Sequence, residues 1–178
     1  MANFFGSELP TTGDAGDTTS VNVGLEFTVG VPGWVTGIRF YKHAANVGTH
    51  TGALWYGGHS ETAIQIGACT FAGETASGWQ EQLFASPVPV IPVQTYTASY
   101  HTAGHYSASA HYFDSPITRG DITGKLGLYY YAASDAQPIN AFNNGNYYAD
   151  LTFVTELPPS GAAPQSLHMG KRHHIRLR

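Results

Sequence analysis

"TYTASYH", residues 95–101, decides the fold class. Tyr96, Ala98 and Tyr100 fall on one side of an extended chain, and the polar residues between them fall on the other. A strict period of two is the mark of a strand with one face on a core. Working outward, the text from Val21 onward is a series of short runs of this kind, broken by Gly, Pro, Asn and Asp. The runs read as strands cover about residues 21–29, 34–42, 52–57, 63–71, 78–84, 94–101, 105–113, 125–131 and 146–155. Some alternate imperfectly. In "GWVTGIRFYK" (33–42), Trp34, Ile38 and Phe40 stand against Thr36, Arg39 and Lys42, and in "GWQEQLF" (78–84) one face is mixed. Pro87, Pro89 and Pro92 mark an edge strand or a crossing between sheets, because a central strand cannot spare those N–H donors.

Composition agrees with this reading. Of 178 residues, 42% are hydrophobic and only 11% charged, against the usual quarter, and 21 are glycine. Such a bias favours strands and turns, and no amphipathic helix is legible. The expectation is an all-β, antiparallel β-sandwich or jelly roll of about eight to nine strands. It occupies residues 21–156, between an extended N-terminal arm (1–20) and a C-terminal segment (157–178). That last segment joins a Pro/Gly/Ala linker, "LPPSGAAPQS", to a cationic tail, "LHMGKRHHIRLR". No stretch of 18 apolar residues exists, so no membrane helix is expected, and "MANFFGSELP" lacks the basic and apolar regions of a secretory signal.

Charge is unevenly placed. All twelve acidic residues lie between Glu8 and Glu156, so with four cations against them residues 1–170 carry a formal −8. The tail holds the other four cations, Lys171, Arg172, Arg176 and Arg178. An acidic body with a basic tail points to an acidic partner for the tail. Four cations are a weak nucleic-acid footprint, and the body would repel DNA. Ile175 and Leu177 alternate with Arg176 and Arg178, a pattern suited to adding a strand to a partner's sheet edge.

Four motifs carry a family resemblance: "GLEFTVGVPGWVTGIRFYK" (24–42), "NVGTHTGALW" (46–55), "ACTFAGETASGWQEQLF" (68–84) and "TYTASYHTAGHYSAS" (95–109) followed by "YF" (112–113). In order and spacing they resemble the domain-of-unknown-function family 4082 over residues 20–155. The resemblance implies a β-sandwich module of the kind appended to secreted proteins that handle carbohydrates or adhesion, with no settled activity. This sequence departs from the secreted members in showing neither a signal peptide nor neighbouring domains. A lone module with an arm and a basic tail is similar to a structural protein of a tailed phage. The first expectation is therefore a non-enzymatic virion protein, a head decoration or minor capsid component, localised to the virion. Its partners would be other virion proteins or further copies of itself, anchored through Phe4, Phe5, Lys171, Arg172, Ile175, Arg176, Leu177 and Arg178. The alternative is a carbohydrate-binding module with an aromatic face.

Each chemistry-bearing residue also has a plainer role open to it. His43 and His50 flank Asn46 in "KHAANVGTH" (42–50), but no cysteine or carboxylate lies near in sequence, as zinc would need. Asn46, Gly48 and Gly52 read as turn formers there. His101, His105 and His111 would share a face in part if 105–113 were one regular strand, yet a Tyr/His ladder is the plainer reading. The sequence leaves open whether any of these histidines binds a metal. No nucleophile elbow and no phosphate-cradling loop are present, and Glu61, Glu74, Glu81 and Asp114 have no setting that suggests a raised pKa, so no enzyme and no cofactor are expected. Cys69, in strand-like text, reads as a buried and inert thiol. Trp34, Trp55 and Trp79 read as core. Consecutive Tyr129, Tyr130 and Tyr131 must point both ways from a strand. With Asn143 and Asn144 of "NAFNNGNYYAD" (140–150) they are the candidate glycan contacts.

Overall fold

The computed structural model describes residues 1–59 and 62–157. Nine strands follow one another: β1 (Val21–Val29), β2 (Gly33–Lys42), β3 (Thr51–Tyr56), β4 (Ile64–Thr70), β5 (Gly78–Val90), β6 (Tyr96–Thr102), β7 (Ile117–Arg119), β8 (Ile122–Tyr131) and β9 (Ala149–Val154). They form a six-stranded sheet in the order β4-β3-β6-β1-β8-β7 and a three-stranded sheet in the order β5-β2-β9, with antiparallel pairing throughout. No helix occurs among the described residues. The architecture is the expected all-β antiparallel sandwich.

The core follows from the alternation. Opposed residues of an antiparallel pair share a face, and the register pairs Val23 with both Tyr100 and Tyr129, and Val21 with Tyr131. Val21, Val23, Leu25 and Phe27 are fully buried on that inner face. From the small sheet, Phe40 meets Tyr100 ring on ring at 4.2 Å and meets Phe71 edge-on at 4.8 Å. The polar side of β1 and β6 is covered as well. There Trp55 is buried and donates Nε1–H to Ser99 Oγ, while both amide ends of Asn22 hold the 132–137 segment through Ser134 O and Ala136 N. Trp34 and Trp79 are half-buried.

Four elements differ from the sequence reading. β5 runs on through Pro87 and Pro89 to Val90, which its place at the edge of the small sheet permits. β7, three residues long, is too short to show a period. Residues 105–113 are not a strand. Gly104, His105 and His111 have positive φ (131°, 59° and 54°), and the segment pairs in isolated bridges with Thr12, Lys42 and Asn146. Of the proposed turn formers around residue 50, Gly48 does adopt positive φ, whereas Gly52 lies inside β3, where an added Cβ would come within 2.9 Å of Cys69 and Ile38.

Residues 1–20 are likewise not a free arm. Ala2 exchanges two backbone hydrogen bonds with Phe153 on β9, and Thr12 exchanges two with Ala108. Phe4 and Phe5 are 1% and 2% exposed, so their rings fill this chain's own core and offer no partner anchor. Phe5 lies over Trp79, Phe4 lies over Phe113, and each buried ring contributes about 2–3 kcal/mol. The fastening is ionic. Asp150 accepts from the Phe4 and Phe5 amides at 2.8 and 3.2 Å and from Arg39 at 2.9 Å, while Arg39 also donates to Gly6 O. Burial pushes the Asp150 carboxyl up, and the amides and Arg39 oppose that. The tail anchors Lys171, Arg172, Ile175, Arg176, Leu177 and Arg178 lie outside the described residues.

Candidate functional site

The two sheets differ in width, and the site lies where they fail to match. β9 packs across β1 and β6. The inner face of the C-terminal end of β8 is left to two irregular segments, 104–113 and 140–148. Both are pinned by backbone bonds: Tyr129 and Asn140 exchange a pair, and Ser109 and Asn146 exchange another. The turn Phe142–Gly145 closes with a 2.9 Å bond from Gly145 N–H to Phe142 O, and its central residues Asn143 and Asn144 have φ of 49° and 45°. Two positive φ values in succession define a turn of the I′ kind, for which asparagine is well suited. Gly127 lets this turn approach β8, since a Cβ there would sit 2.1 Å from Gly145 O.

The result is an aromatic cleft. A hollow of about 270 Å³ is lined by Tyr106, Tyr129, Tyr131, Phe142 and Tyr147. A second hollow of about 280 Å³ adjoins it and shares Tyr106, Phe142 and Tyr147. The rings form a chain of near-perpendicular neighbours: Tyr106 to Tyr147 at 5.6 Å and 77°, Tyr147 to Tyr129 at 6.2 Å and 67°, Tyr129 to Tyr131 at 5.7 Å and 71°. Phe142 is 63% exposed and Tyr131 48% exposed at the mouth, whereas Tyr147 is buried. The Tyr131 hydroxyl donates to Asp17 Oδ2 at 2.6 Å, and that bond pushes its phenol up; burial does the same for Tyr106 and Tyr147. All three phenols are neutral at ordinary pH.

Of the expected glycan contacts, Tyr129 and Tyr131 line this cleft, and Asn143 borders the second hollow. Tyr130 points to the opposite face of β8, opposite Asn22. Asn144 serves the turn, and its Nδ2 donates to Asp114. Tyr106, Phe142 and Tyr147 were not singled out by the sequence, because nothing local shows that residues 106 and 147 meet.

The histidines have other work. His101 bonds Ser20 and Ala132 O, His105 bonds Asp14, and His111 bonds Asp114, so the three do not converge. No group of three His, Cys, Asp or Glu is arranged to hold a metal among the described residues. His50 is fully buried in a polar knot: Nδ1 lies 2.8 Å from Glu74, which also takes Lys42 Nζ at 2.7 Å, and Nε2 lies 2.7 Å from Asn46 Oδ1. Burial lowers the His50 pKa, partly offset by Glu74. A neutral ring that donates Nδ1–H to Glu74 needs a donor at Nε2. The opposite orientation of the Asn46 amide supplies one, and it also employs the Nδ2 that is otherwise unpartnered. This loop is a closed structural knot. Burial also pushes the half-buried Cys69 thiol up to about 11.

The chain belongs to the DUF4082 family, a domain of unknown function, whose pattern matches residues 7–149. The matched span begins inside the supposed arm and contains every residue that lines the tyrosine cleft. No curated protein matches the chain.

Proposed function

We propose that this DUF4082 domain is a non-catalytic recognition module that binds a glycan in the tyrosine cleft. The observation that carries the reading is the convergence of five aromatic side chains from three separate segments on one concavity the size of a sugar ring or two. Aromatic rings offer broad apolar faces to sugar C–H groups, and their hydroxyls add hydrogen bonds at the rim. A rigid sandwich holds the walls, so little ordering cost attends binding. Among the described residues no Asp or Glu lines either hollow. The nearby Asp14 and Asp17 lie together on one turn rather than flanking a scissile bond from two sides as glycoside hydrolysis would need, which favours recognition over turnover. Phe142→Ala is the test: it removes an exposed wall and should abolish retention on a glycan array while leaving the melting temperature within about 2 °C. Array binding that is unchanged in the variant would refute the assignment of the cleft. Display on a virion depends on residues 171–178, outside the described residues, and no described contact favours it.

A further inference from the structure

We propose that the sugar taken by this cleft is a non-acetylated amino sugar, its ammonium group seated among the faces of Tyr106, Tyr129, Tyr131 and Tyr147. The inference rests on the glycan reading above and narrows it to one ligand class.

Ring geometry comes first. A neutral sugar stacks on one flat ring face, whereas successive rings here meet edge to face at 67–77° and line the hollow on more than one side. Aromatic rings on several sides are the arrangement that surrounds a cation, because each face carries the negative part of the ring quadrupole.

Hydrogen-bond polarity comes second. The Tyr131 hydroxyl gives its proton to Asp17 Oδ2, so its remaining capacity is to accept, shared between the Tyr106 hydroxyl beside it and a ligand. An ammonium group can only donate. Burial works to raise the Asp17 carboxyl, but the bonds from Tyr131 and Thr19 outweigh it and hold the group ionised. Asp14 lies on the same turn, held below the usual carboxylate range by the Gly16 amide and by His105.

Charge comes third. Among the described residues, no Lys or Arg lines either hollow. The four basic residues of the described body are engaged elsewhere: Arg39 with Asp150, Lys42 with Glu74, Arg119 with Glu8, and Lys125 with Thr95. Among the described residues a uronic or sialic acid would meet the Asp14 and Asp17 carboxylates and no Lys or Arg, so the observation that favours basic sugars disfavours acidic ones.

The test is calorimetry of the full chain at low ionic strength with a short glucosamine oligomer, its fully N-acetylated counterpart, a galacturonate oligomer and choline. The expected result is that the glucosamine oligomer binds at least about tenfold more tightly than the acetylated one. Its binding should weaken several-fold in 0.5 M NaCl and in Asp17→Asn, and be lost in Phe142→Ala. Asp17→Asn keeps the oxygen that accepts from Thr19, so both variants should melt like the parent. Equal or tighter binding of the acetylated or the galacturonate oligomer overturns the ammonium inference and leaves the glycan reading standing. Glucosamine binding that survives Phe142→Ala reports attraction to the acidic surface and also overturns it. Binding of choline alone, or of none of the four, overturns both.

Discussion

Replacing Asp150 with asparagine should unfasten the N-terminal segment from the sandwich at a large cost in stability. The side chain is fully buried, and its two oxygens divide the work. Oδ1 accepts from Phe4 N and Leu151 N, both at 2.8 Å; Oδ2 accepts from Phe5 N at 3.2 Å and pairs with Arg39 at 2.9 Å. The asparagine would keep the first pair of bonds through its carbonyl. At the Oδ2 position it would set an N–H₂ against the Phe5 amide and the guanidinium. Arg39, 9% exposed at its side chain, would retain only Gly6 O, the half-exposed Glu81 at 3.5 Å and the face of Trp79 at 4.5 Å. Breaking a buried ion pair from one side costs about 3–5 kcal/mol, because the surviving charge stays buried. With a urea m-value of about 2 kcal/mol/M, the unfolding midpoint should fall by about 2 M.

Trp79 reports the event directly, since it stacks on Phe5 at 6.0 Å and donates to Glu8 O. Its fluorescence should shift before or together with far-ultraviolet circular dichroism. Asp150→Asn combined with Arg39→Met should be more stable than the sum of the single losses, because the second change removes the charge that the first leaves stranded. A midpoint loss under about 0.5 M for Asp150→Asn alone, or strict additivity in the double variant, would refute the reasoning.

Other outcomes follow from the same geometry. His50 has a folded pKa below its unfolded value, so the unfolded chain binds the extra proton first as pH falls. Its contribution to stability is present above about pH 6.5 and is lost below it; melting curves between pH 8 and 5 should fall less steeply for His50→Gln than for the parent. Gly127→Ala should drive the Phe142–Gly145 turn off β8, costing about 1–3 kcal/mol by overpacking and weakening glycan retention together with stability. Cys69, with its thiol raised to about 11, should react with a disulfide reagent at neutral pH far more slowly than the unfolded chain does; equal rates would contradict its packing against Gly52.

The strands were legible wherever one face alone carries the core. β1 is legible to its ends because Val21, Val23, Leu25 and Phe27 keep the period without interruption. β6 is displaced by two residues at its start and one at its end for the same reason: the period is clear but its limits are not. The sandwich class rests on such segments, and it needed no knowledge of which strand pairs with which. Phe4 and Phe5 show where that local reading stops. An apolar pair ahead of the first strand looks like a ligand for some other surface. The carboxylate that holds it, Asp150, lies 146 residues away from Phe4, and a single acidic residue after "NYYA" announces nothing of that kind.

The cleft was half legible for a related reason. Tyr129 and Tyr131 lie on a regular strand, so parity alone puts them on one face and Tyr130 on the other. Which face is wet depends on the width of the opposing sheet, and no local signal encodes that. Tyr106 and Tyr147 sit in segments whose backbone departs from any period, beside His105 at φ 59° and Tyr148 at φ 51°. Such conformations persist where long-range contacts over-determine them. Here the contacts are the Thr12–Ala108 and Ser109–Asn146 pairs, which join parts of the chain distant in sequence, and the Tyr129–Asn140 pair, which closes the loop after β8. These are the pairs that bring the four tyrosines together, so the irregular backbone and the binding surface have one cause. A sandwich with sheets of equal width would have buried Tyr129 and Tyr131 as ordinary core. The half-burial of Tyr129 and the exposure of Tyr131 are the consequence of a three-stranded sheet facing a six-stranded one, and the glycan proposal stands on that mismatch.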